Sequence, residues 1–153
     1  MQRKQDKQNN SDLNKATTME LFIKAGGVYL FICAIFHLIF PQLYRWQDTL
    51  DRLEKEDSAR ILNTLKLMNY CQFLLWLIFA VIAFFFSREL LDSQLGKCIL
   101  SLIVLFWVIR IFLLQPMYVG FKTKISKWQV VFFIAGLTLF LIPLINVVVA
   151  HNQ

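Results

Sequence analysis

Four uninterrupted apolar blocks, each about as long as a bilayer core is thick, leave few folds open to this chain. A hydrocarbon core of ~30 Å takes roughly 20 helical residues, and within it every backbone N–H and C=O must be bonded inside the segment. The blocks run from about Leu21 to Phe40, Leu67 to Phe86, Lys97 to Tyr118 and Trp128 to Ala150. The first is expected to stop at Pro41 and the second at Ser87-Arg88. Each is too long and continuous for a strand, and none alternates as the strands of an outer-membrane barrel do. The reading is an all-α integral membrane four-helix bundle.

Composition excludes the main competitors. The chain is 58% hydrophobic and 17% charged, against roughly 45–50% and about 25% in soluble domains. Fifteen Phe with only five Gly and three Pro fit neither a disordered nor a collagen-like chain. The net charge of +6 is divided among the flanks of the blocks and forms no basic stripe, so nucleic acid is not expected as a partner.

Residues 1–19, MQRKQDKQNNSDLNKATTM, form a polar, basic tail too poor in apolar residues to fold alone, and are expected to be disordered. The block behind them lacks a small-residue cleavage site and exceeds a signal h-region, which makes it a retained span. Residues 20–150 are then the membrane domain. Between spans 1 and 2, Leu43, Trp46, Leu50 and Leu53 recur at helical spacing, and Asp48/Arg52, Asp51/Lys55 and Glu56/Arg60 are acid-then-base pairs at i,i+4. This predicts a short amphipathic interfacial helix over about 43–60, either a simple connector or a cap on one end of the bundle.

Four spans put both termini on one side. Arg3, Lys4, Lys7, Lys15, Lys24, Arg88 and Lys97 belong there; Arg45, Arg52, Lys55, Arg60, Lys66, Lys122, Lys124 and Lys127 belong opposite. This near balance leaves the orientation open.

The informative residues are the polar groups inside the blocks, because each costs free energy unless partnered. They are Arg110, His37, Asn69, Gln72, Gln115 and, at the opposite end, Asn146. At ~1.5 Å per residue, His37, Asn69, Gln72 and Arg110 are expected at similar depth, with Gln115 nearer the surface of the first and third loops. Two stripes, Gly26-Tyr29-Cys33-His37 and Asn69-Gln72-Trp76-Ala80-Ala83, follow three- and four-residue steps, as interior faces of packed membrane helices do.

No carboxylate lies inside the blocks to pair with Arg110; the nearest plausible ones are Asp48 and Asp51 in the first loop. Its fixed charge and forked donors suit a carboxylate or phosphate. Either Arg110 snorkels towards the surface with help from Asn69, Gln72, Gln115 and a cation–π contact to Trp107, or it holds an anionic head together with His37 and the two amides. A contact between subunits is the third option. Arg110, His37, Asn69, Gln72 and Gln115 are therefore the candidate ligand-binding residues.

His37 is the weak catalytic candidate, as an acid or base. Histidines number two, His37 and His151, so bis-histidine haem and zinc sites are disfavoured and neither cofactor nor metal is expected. Cys33, Cys71 and Cys98 fall on three spans with no C-x-x-C and are read as small apolar residues. The common nucleotide, protease and hydrolase signatures are absent. No internal repeat points to a transporter. In layout the chain resembles small four-span proteins of the bacterial inner membrane.

The expected function is therefore non-enzymatic: a protein of the lipid bilayer that binds an anionic lipid, another amphipathic ligand or a membrane-protein partner. The alternatives are a small intramembrane enzyme, with His37 as acid or base and Arg110 as anion clamp, and a homodimeric small-solute carrier.

Overall fold

The structure, a computed structural model, describes residues 2–43, 55–119 and 124–151, with side chains over 13–43, 59–117 and 127–149. Helix α1 spans Gln2–Leu43, α2 Lys55–Phe85, α3 Ser87–Asp92, α4 Gln94–Ile109 and α5 Lys124–His151; α4 runs on as a π-helix over Arg110–Val119. Among the described residues there is no strand. Four helical stretches, Leu13–Leu43, Ala59–Phe85, Gln94–Met117 and Lys127–Val149, are long and apolar enough to cross a membrane. Each carries one of the four blocks read from the sequence.

The ends of the helices differ from the expected ones. The polar segment ahead of the first block is helical from Gln2, where the composition suggested no structure. Once an apolar block has nucleated a helix, extension adds one bond per residue ordered, and Gln, Lys and Arg are good helix formers. Thr17 and Thr18 fold their hydroxyls back onto the carbonyls of Leu13 and Asn14, at 2.9 and 2.8 Å, a bond that a helix accommodates. α1 also does not stop at Pro41 but continues to Leu43. The expected interfacial helix over 43–60 lies largely outside the described residues: 44–54 are not described, and Lys55–Arg60 form the first turns of α2. Each of its three expected acid–base pairs has at least one side chain outside those described.

Between the second and third apolar helices the chain turns twice, each time at one residue. Phe86 (φ −114°, ψ 32°) ends α2, and Ser93 (φ −86°, ψ 150°) separates α3 from α4. The Ser93 hydroxyl accepts from the Gly96 N–H at 2.9 Å, capping α4, and donates to the Glu89 carbonyl at 2.7 Å. Gly96 is required here. A Cβ at this position would sit 2.5 Å from Leu90 Cα and collide with the Glu89 carbonyl.

The chain divides into two units, residues 1–26 with 83–153, and residues 27–82. In the first, α4 and α5 pack together around Trp107, which is 1% exposed and lies 5.8 Å from the Phe133 ring, with Phe106 edge-on at 5.5 Å. Gly26 of α1 meets the fully buried Phe140 of α5 so closely that a Cβ would lie 2.5 Å from its Cζ. In the second unit the remainder of α1 pairs with most of α2 through His37 and Asn69. Large apolar side chains such as Phe85, Leu102 and Phe112 stay exposed, and only 17–39% of each apolar window is buried.

Candidate functional site

The five candidate ligand-binding residues fall into two groups, one in each unit. His37, Asn69 and Gln72 belong to residues 27–82; Arg110 and Gln115 belong to the other unit.

The first group is organised by a proline. In an α-helix the N–H of residue i+4 serves the carbonyl of residue i, so Pro41, which has no N–H, leaves the carbonyl of His37 unserved. Asn69 Nδ2 donates to that carbonyl. The other end of the same carboxamide, Oδ1, accepts from His37 Nδ1 at 3.0 Å. This explains why α1 passes through Pro41: a neighbouring helix satisfies the backbone group that the proline frees. Donation from Nδ1 also makes Nε2 the basic nitrogen of the neutral ring. Phe40 stacks on the imidazole with centroids 5.9 Å apart and planes at 18°. Asn69 is buried, one helical turn before Gln72, whose Nε2 is enclosed and has no hydrogen-bond partner among the described residues.

The second group is organised by the π-helix. In this geometry the N–H of residue i+5 bonds the carbonyl of residue i, so Gln115 stands one turn beyond Arg110 on the same face. In an α-helix, at 3.6 residues per turn, the two would be ~140° apart. Gln115 is fully buried and Arg110 is intermediate in exposure. The Arg110 guanidinium lies over the Phe133 ring of α5, 5.0 Å from its centroid. The sequence pointed to Trp107 as the aromatic partner; Trp107 is instead the neighbour of that ring. Among the described residues none gives Arg110 an ion pair or a hydrogen bond. Nor does any cluster of three or more metal-ligating side chains occur among them.

A further polar cluster escaped the sequence reading. Glu20 of α1 receives Lys24 Nζ at 2.7 Å, Arg88 Nε at 3.0 Å and, more weakly, the buried Ser87 hydroxyl at 3.4 Å. This carboxylate raises the Arg88 guanidinium above its ordinary value, through the hydrogen bond first and its charge second. Arg88 is largely exposed, so the pair fixes geometry more than it stabilises. The Glu20/Lys24 spacing of i,i+4 was a visible signal; the contact with α3 was not.

No family model, no curated protein and no solved structure matches the chain. The site residues therefore stand on their chemistry alone.

Proposed function

We propose that the protein is a non-enzymatic, multi-pass membrane protein that holds the anionic head of a lipid at Arg110. The observation that carries this reading is a permanently charged guanidinium in an apolar helix with an aromatic ring on one side and, among the described residues, no carboxylate. A central membrane arginine costs roughly 2.5–3.5 kcal/mol to insert on the translocon scale. A cation–π contact returns about 0.5–2 kcal/mol, so a further anionic partner is called for. A lipid phosphate supplies acceptors that match the forked donors, and its acyl chains suit exposed neighbours such as Phe112 and Leu113.

Of the five candidate residues, this reading keeps Arg110 and Gln115. His37 and Asn69 spend hydrogen bonds on each other, and Gln72 belongs with them. From the resemblance in layout alone, we propose a bacterial inner membrane as the location.

The test is to extract the purified protein and quantify the lipids that travel with it, for wild type, Arg110→Ala and Arg110→Lys. The reading predicts an anionic lipid enriched over the bulk membrane in wild type, reduced in the lysine variant and lost in the alanine variant. Equal lipid content in wild type and Arg110→Ala would overturn it. In that case a partner helix or a second copy becomes the counterpart of Arg110.

A further inference from the structure

We propose that the Asn69 carboxamide is the latch of a proline hinge in α1. Pro41 removes one rung of the helix four residues after His37, and a missing rung is where membrane helices bend. Both functional ends of Asn69 close on residue 37: Nδ2 on its carbonyl and Oδ1 on its ring Nδ1. The carbonyl so bonded is the one that an N–H at residue 41 would have served. Phe40, adjacent to the proline, stacks on the same imidazole and ties the last turn of α1 to the latched ring. With the latch closed, α1 runs on to Leu43. With it open, the His37 carbonyl lies in an apolar surrounding without its donor, and the helix must bend at Pro41 until that oxygen finds another. The segment Leu38–Leu43 is thus a two-state element whose position is set from α2, independently of any ligand at Arg110.

The latch predicts a coupling that packing alone does not produce. The experiment is hydrogen–deuterium exchange of the full chain in lipid nanodiscs, followed on the peptide covering residues 38–43, for wild type, Asn69→Ala, Pro41→Ala and the double variant. Asn69→Ala should exchange at least tenfold faster there than wild type. Pro41→Ala should match wild type, and in the double variant the N–H restored at position 41 should return exchange to within a few-fold of wild type. His37→Phe removes only the ring half of the clasp, and adding Asn69→Ala to it should still accelerate exchange when residue 41 is proline. Should Asn69→Ala alone fail to fold, recovery of a folded protein by adding Pro41→Ala supports the latch. An unchanged rate in Asn69→Ala, an acceleration of the same size with alanine at position 41, or failure of the double variant to fold would overturn it.

Discussion

Ser93 shows how much a single side chain decides at the corner between the second and third apolar helices. Its hydroxyl caps α4 and holds the end of α3 at once, so Ser93→Ala should lower stability by about 1 kcal/mol, the usual worth of a cap. Gly96→Ala should cost more, about 1–3 kcal/mol, because its methyl meets backbone atoms of Glu89 and Leu90 that cannot rotate away. Thermal unfolding in one detergent ranks the two. A less stable Ser93→Ala would show that the close approach at Gly96 is not the constraint. At this scale the sequence was partly readable. His37 and Pro41 stand four residues apart in the chain, enough to know that one carbonyl lacks its donor. That Asn69 supplies the donor depends on how α2 lies beside α1, which no local pattern encodes. Arg110 was conspicuous for the same reason that it is costly, a charge amid Val, Ile and Phe. Its aromatic partner was missed because Phe133 is distant in sequence, whereas Trp107 is three residues away.

The π-helix is the element whose register the sequence concealed. Pro116 lies within it, but a proline marks a disturbance without saying that the helix widens. Deleting Leu113, which is half exposed, should let the segment close into an α-helix with Arg110 and Gln115 four residues apart and still on one face. Pro116 would then leave the carbonyl of Ile111 unserved, as it does in the wider helix. Anionic lipid should therefore remain bound to the deletion variant; its loss would mean that the wide turn itself shapes the site. A second element-scale test is Gly26, where α1 approaches Phe140. Gly26→Ala should destabilise, and trimming the ring by Phe140→Leu should recover part of the loss; additive losses would place the contact elsewhere. The four apolar helices were legible because hydrocarbon thickness sets their minimum length. Their ends were not, because helices propagate into polar flanks at little cost, and a membrane proline stops a helix only when nothing serves the carbonyl it frees.

For the whole molecule, the thin interior is the telling property. Large exposed apolar side chains along every long helix would be an association hazard in water and are the expected lining against acyl chains. Cys71 gives a direct check. It is exposed on the protein yet sits in the middle of Ala59–Phe85, at a depth where acyl chains would keep a water-soluble reagent away. A membrane-impermeant maleimide should leave it unlabelled in proteoliposomes and label it once the protein is denatured; rapid labelling in the bilayer would argue against insertion of α2. The central claim, an anionic lipid head at Arg110, is tested most directly by native mass spectrometry. Wild type and Arg110→Ala would be released from nanodiscs containing equal amounts of phosphatidylglycerol and phosphatidylcholine. The account predicts wild type carrying phosphatidylglycerol in preference, with that preference gone in the variant, and the same spectrum counts the protein copies. Equal uptake of both lipids by wild type, or an undiminished preference in Arg110→Ala, would contradict it.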